Sequence, residues 1–119
     1  MARPPKSFPA LFYRSPGGRE PVRDWLRSLD REERRVIGED LRVLELAWPV
    51  GMPMARSMGG GLYELRSHLP RRRTARVMFS VPGEHLLLLH AFLKKSRSTP
   101  LADLQLARQR LRAWRSQDA

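Results

Sequence analysis

The chain has 119 residues, room for one domain and too little for two. It has no cysteine, a formal net charge of +11 and a pI near 11.5. This excludes disulfides, zinc–thiolate centres and a cysteine nucleophile, and points to a polyanionic partner, most commonly nucleic acid. No apolar run reaches the roughly 20 residues that span a bilayer. No long apolar core follows the N-terminal charges as in a secretory signal. The expectation is a cytoplasmic protein without membrane attachment.

In chain order, residues 1–9 are basic and Pro-rich and read as an extended arm. Residues 10–13 are a short strand candidate, followed by the turn Ser15-Pro16-Gly17-Gly18. Pro21 suits the first turn of a helix, and Val22, Trp25, Leu26 and Leu29 follow at helical spacing. Asp30 is the expected N-cap of a second helix, with Glu33 completing a capping-box pattern. Ile37, Leu41, Leu44 and Trp48 form its apolar stripe, and Pro49 ends it. Two short linked helices of this kind are expected to pack as a hairpin. Residues 49–61, rich in Gly, Pro and Met, read as loop.

The apolar period then changes from helical to two. Residues 62–68 and 74–81 read as strands joined by the basic turn Pro70-Arg71-Arg72-Arg73. Pro82-Gly83 turns the chain into a third strand, 84–93, which is apolar at nearly every position, as a strand covered on both faces is. Thr99 and Pro100 read as cap and first residue of a last helix, with Leu104, Ala107, Leu111 and Trp114 inward. The expected architecture is a single α+β domain over residues 1–119. It has an antiparallel sheet of about four strands, an N-terminal helical hairpin and a C-terminal helix, with the helices on one face.

Glu64, Arg66 and Arg76 alternate against the apolar residues of their strands. On a sheet covered on one side they fall on the open face, as solvated charges or as a phosphate site. Arginine suits the second role because its planar fork matches phosphate oxygens. The third strand has two possible registers. A two-residue Pro82-Gly83 loop sets Arg76 opposite Leu89. One bulged residue sets Arg76 opposite His90, putting His90, Phe92 and Lys94 on the open face and Leu87, Leu89 and Leu93 toward the helices. The bulged register is preferred, because the twist of a Pro-Gly type II turn fits a two-residue hairpin poorly.

His90 is then a candidate proton carrier or a structural histidine, and His68 is a second candidate. Phe92 is placed to stack on a base or to pack. Arg71, Arg72 and Arg73 at the tip, with Lys94 and Lys95 at the strand end, are suited to salt-dependent phosphate contact. No metal-ligand motif, P-loop or serine-hydrolase motif occurs, so neither metal nor cofactor is expected.

Several motifs in series resemble a known family. Gly61-Leu62-Tyr63-Glu64-Leu65-Arg66 resembles the "G-LYELR" motif of phage-derived HigB-like toxins in the RelE/ParE superfamily. Arg76-Val77-Met78-Phe79 is similar to its "yRv-f" strand. Leu89-His90-Ala91-Phe92-Leu93-Lys94-Lys95 with Thr99-Pro100 is similar to its "LhgFvKKt---tP" signature, with Ala91 for the commoner Gly and Ser96 for the commoner Thr. Pro21-Val22-Arg23-Asp24-Trp25-Leu26 matches the start of its first helix.

The resemblance implies a fold like that of RelE and microbial ribonucleases. It implies a metal-independent mRNA endoribonuclease that often acts on ribosomes and is neutralised by a helix-turn-helix antitoxin. By position it carries functional polar roles to Glu64, Arg66, Arg76 and Lys94. For RNA cleavage, Arg66 and Arg76 are the candidates to stabilise phosphate charge, Glu64 the candidate base, and Lys94 or His90 the candidate acid. Lys95, Phe92, His68 and the three tip arginines are the candidate RNA contacts. Two alternatives remain open at this stage: a ParE-like poison of DNA gyrase, and a basic RNA-binding module without catalysis.

Overall fold

The computed structural model of the chain describes residues 7–95 and 97–118, so the first six residues of the expected arm and Ser96 lie outside it. Strand β1 (Ala10–Phe12) leads into helices α1 (Pro21–Ser28) and α2 (Arg31–Ala47). Strands β2 (Ala55–Gly59), β3 (Leu62–Leu69), β4 (Arg73–Ser80) and β5 (Leu86–Leu93) follow, and helix α3 (Leu101–Asp118) ends the chain. A single turn of 3-10 helix, Pro70–Arg72, joins β3 to β4. The order across the sheet is β1-β5-β4-β3-β2.

This is the expected α+β class, in an arrangement compatible with a RelE-like fold, with three corrections. The sheet has five strands and is mixed, because β1 runs parallel to β5 through Ala10↔Leu86, Leu11↔Leu87 and Phe12↔Leu88. Residues read as loop supply β2, which pairs antiparallel with β3. A Gly- and Met-rich edge strand has little periodicity to read, since it buries only one side chain well, Ala55.

The third correction concerns the helices, which cover both faces of the sheet. The α1–α2 pair packs Val22, Ile37, Leu41 and Leu44 on Leu65, Val77, Phe79, Leu86 and Leu88. Helix α3 packs Ala107 and Leu111 on Leu62, Met78, Leu87 and Leu89 of the other face. The uninterrupted apolar run of β5 has its cause here. Leu86, Leu87, Leu88 and Leu89 are all fully buried, alternately under the two helical layers.

The register of β5 sets which residues share a face. A bulge between the pairs Phe79↔Leu88 and Met78↔His90 inserts Leu89, and Arg76 lies opposite Phe92. The expected bulge is present, but the turn is wider than Pro82-Gly83, so Arg76 meets Phe92 and not His90. His90 and Phe92 do share a face with Glu64, Arg66 and Arg76. Leu87 and Leu89, expected to face the helices on the side opposite His90, share its face and pack under α3, while Leu93 packs with the α1–α2 layer.

Helix ends also differ in detail. Asp30 caps α2 by accepting from the Glu33 N–H at 2.9 Å. The Glu33 carboxylate does not complete the capping box; it pairs with Arg73 at 2.8 Å. Helix α3 begins at Leu101, and Thr99, expected as its cap, sends its hydroxyl elsewhere.

Candidate nucleic-acid interface

On the face under α3, β3, β4 and β5 align their polar side chains in rungs. Glu64, Met78 and His90 form one rung, and Arg66, Arg76 and Phe92 the next. His68 and Thr74 form the outermost, which Lys94 joins through its N–H to the Thr74 carbonyl at 2.7 Å. The face is not open along its length, as one-sided helix packing requires. Helix α3 covers the inner rungs, and the segment leading into it crosses the middle one.

That crossing is held by a buried network. Glu64 and Arg76 are only 1% and 2% exposed. The Thr99 hydroxyl donates to Glu64 Oε2 at 2.6 Å and accepts from Arg76 Nη1 at 3.1 Å. Arg76 Nη2 donates to the Arg97 carbonyl at 2.8 Å, and Arg76 Nε stands 3.5 Å from Glu64 Oε1 as an ion pair without an aligned hydrogen bond. A buried carboxylate and guanidinium tolerate desolvation because each faces the other and further polar partners. The expectation that Arg66 and Arg76 offer two solvated forks to one phosphate is therefore corrected. Arg76 and Glu64 face inward and clamp residues 97–99 to the sheet. Arg66 is half-buried and lines a cavity of about 210 Å³ with Asp40, Pro53, Met54 and His68.

His90 is similarly engaged. Its Nε2 lies 2.6 Å from Asp103 Oδ1 on α3, and its Nδ1 lies 3.4 Å from Arg110 Nη1. An Nε2–H donor with a lone pair on Nδ1 satisfies both contacts. Arg110 also donates to the Leu89 carbonyl at 2.8 Å and sits over the Tyr13 ring; burial lowers its pKa. His68, in contrast, is exposed on the outer rung and makes no side-chain hydrogen bond or ion pair among the described residues.

The basic tip divides its three arginines. Arg71 pairs with Asp30 at 2.7 Å and Arg73 with Glu33 at 2.8 Å, so the first turn of α2 neutralises both. Arg71 and Arg72 both adopt positive φ, 61° and 59°, a region that costs a non-glycine residue of order 1 kcal/mol or more. Between the two clips, Arg72 lines a cavity of about 330 Å³ with Thr74, Lys94, Lys95 and Arg97. Its four cationic side chains have no acidic partner among the described residues. A larger cavity, about 400 Å³, is lined by Phe8, Trp48 and Tyr63 and has Arg115 as its one charged group.

Arg72, Lys94 and Lys95 are thus brought together, with His68 one residue across the sheet from Thr74. Glu64, Arg76 and His90 are placed behind them, and Phe92 stands on the margin with its ring stacked on His90 at 5.5 Å. Sequence reasoning missed Thr74, Arg97 and the clamp role of Thr99. Arg97 continues the run from Lys94, a signal that was present. Nothing local marks Thr99 as a bridge, because its partners lie 35 and 23 residues away. Among the described residues, no group of three or more His, Cys, Asp or Glu side chains could hold a metal ion. No helix of these residues is long and apolar enough to cross a membrane.

These features define a small basic α+β protein with an uncovered cationic cleft at one end of its sheet. Residues 24–112 match the family model described as "Phage derived protein Gp49-like (DUF891)", and the chain belongs to this toxin-like family. No curated protein matches the chain.

Proposed function

We propose that this protein is the toxin of a toxin–antitoxin pair and cleaves messenger RNA at the cationic end of its sheet. The reading rests on one observation: Arg72, Lys94, Lys95 and Arg97 converge on one cavity with no acidic partner among the described residues. Gathering like charges is unfavourable unless a polyanion meets them, and an RNA backbone is such a polyanion. The match to the phage-derived family and the motif resemblance support the same reading.

Cleavage requires the 2′-hydroxyl to lose its proton and its oxygen to attack the adjacent phosphorus. The bond from phosphorus to the 5′-oxygen then breaks, and that oxygen takes up a proton. The products are a 2′,3′-cyclic phosphate and a 5′-hydroxyl. His68, exposed on this face, takes the 2′-hydroxyl proton, Lys94 gives a proton to the leaving 5′-oxygen, and Arg66 and Arg72 stabilise the phosphate charge. Glu64, Arg76 and Thr99 act by positioning residues 97–99. The partners in this reading are mRNA, engaged on the ribosome, and a helix-turn-helix antitoxin. Alignment of the RNA by the ribosome contributes much of the rate in such a sparse site. In this reading cleavage proceeds without metal, as the motif resemblance implies.

Expression of the chain alone is expected to arrest bacterial growth and translation, with relief by its antitoxin. Cleavage by the purified protein, with intact ribosomes present throughout if it needs them, is expected to survive chelation of free divalent ions. Normal growth at confirmed expression overturns the toxin reading. Arrest with intact mRNA and inhibited gyrase supercoiling replaces it with a gyrase poison.

A further inference from the structure

A second cavity, of about 310 Å³, adjoins the cationic one and is lined by Trp25, Phe92, Leu93, Lys95, Pro100 and Asp103. Lys95 lines both cavities, so they meet at its side chain. The second exists because β1 pairs only with Leu86, Leu87 and Leu88. Beyond Leu88 this β5 edge has no strand partner among the described residues, and Trp25 of α1 and Asp103 of α3 flank it.

We propose that this second cavity is a nucleobase subsite and that Asp103 makes it select guanine, an inference that rests on the RNA reading above. The first support is shape and surface. Trp25 and Phe92 are both part-exposed there, and Phe92 is held in orientation by the His90 ring at an interplanar angle of 24°. Aromatic faces fixed beside a cationic groove stack bases of single-stranded RNA. The volume is at the lower end of ligand sites, roughly 300–1,000 Å³, which fits one base better than two.

The second support is charge. In a chain of net charge +11, a carboxylate at the lip of a cationic cleft opposes a polyanion unless it meets donors on that ligand. Asp103 favours the N-terminal turn of α3 and pairs with His90, which accounts for an acid at that position but not for its place in the cavity wall. An ionised carboxylate has about four acceptor sites, and His90 occupies one of them on Oδ1. Guanine presents two adjacent donors, N1–H and the N2 amino group, on its Watson–Crick edge. Adenine and cytosine present one amino group beside an acceptor nitrogen, and uracil one N–H between two carbonyls. A carboxylate in the wall therefore discriminates in favour of guanine.

The test uses the full chain and non-cleavable 2′-O-methyl pentamers of uridine, with the central base changed in turn to G, A or C. Binding is read by fluorescence anisotropy at fixed salt, so it does not depend on catalysis. The G pentamer is expected to bind on the order of tenfold tighter than all-uridine, the scale of a bidentate base contact. Asp103→Asn is expected to erase that advantage. His90→Asn, which removes the partner of Asp103 but keeps the carboxylate, is expected to retain it. Phe92→Leu is expected to weaken all four pentamers several-fold with the order preserved. Equal binding of the four pentamers overturns the subsite. So does loss of the G advantage in His90→Asn as complete as in a folded Asp103→Asn. Absence of binding to any pentamer overturns the RNA reading itself, and the subsite with it.

Discussion

Arg66 and Arg76 are direct partners across β3 and β4, yet they belong to different regions of the molecule. Arg76 faces the inner region, where Glu64, Thr99, the Arg97 carbonyl, Asp103 and Arg110 engage the polar side chains of the rungs. Arg66, His68, Thr74 and Lys94 form the outer region, where side chains meet a cavity or solvent. Two arginines with the same strand periodicity thus have different work, one holding a segment in place and one available to a ligand. The difference comes from where the 97–99 segment crosses their shared rung, over Arg76 of β4, and it bears on every substitution on this face.

The largest expected effect breaks the inner region. Arg76→Ala leaves Glu64 buried without its counter-charge and is expected to cost roughly 3–5 kcal/mol of stability. Thermal or denaturant unfolding measures it, and an unchanged melting temperature would show that the clamp contributes little. Replacing both groups together, Glu64→Leu with Arg76→Met, is expected to recover most of the loss. Lost toxicity in Arg76→Ala alone is therefore no sign of direct contact with RNA.

Next come the outer residues. Arg66→Ala and His68→Ala are expected to reduce RNA cleavage on the order of 100-fold. For His68→Ala the stability change should stay within about 0.5 kcal/mol, since the side chain is exposed. His90→Ala is expected to show the opposite balance, a stability cost of about 1–3 kcal/mol from the unpaired Asp103. Cleavage rates and melting curves on the same preparations distinguish the two histidines; equal profiles erase the boundary between the regions.

A smaller effect sharpens the boundary within the basic tip. Arg72→Ala and Lys94→Ala are each expected to weaken RNA binding several-fold. Each should lower the slope of log affinity against log salt by about 0.7, the increment for one phosphate on a single strand. Arg71→Ala, whose charge Asp30 already engages, is expected to leave that slope nearly unchanged. A slope change in Arg71→Ala equal to that in Arg72→Ala means that the clip opens on binding.

The smallest effect concerns the clip itself. The Glu33 N–H first, and the Arg71 guanidinium second, hold the Asp30 carboxyl below the usual aspartate pKa. Its folded pKa lies below its unfolded one, so the stability it contributes is present above the ordinary value and is lost as pH falls through the lowered one. Asp30→Asn is expected to flatten that acid limb slightly, and added salt to shrink the difference, because the pair is exposed. Acid unfolding curves that coincide for the two proteins would show the clip to be without consequence.

Local pattern in the sequence carries much of the architecture. The stripe Ile37, Leu41 and Leu44 requires a helix with one apolar face, and the alternation through 62–68 and 74–81 requires half-covered strands, since those periods follow from backbone geometry alone. The unbroken apolar run of β5 requires cover on both faces. The net charge and the basic run from Lys94 mark a cationic end. Tertiary structure decided the rest. The parallel pairing of β1 joins residues about 75 apart, and no local signal encodes a pairing across that distance. Alternation puts Glu64, Arg66 and Arg76 on one face but does not say what lies over it. Burial of Glu64 and Arg76 depends on Thr99 and the Arg97 carbonyl, which reach them only after α3 has packed on the sheet. The division of Arg71, Arg72 and Arg73 depends in the same way on α2, because a charge becomes available or neutralised through neighbours in space.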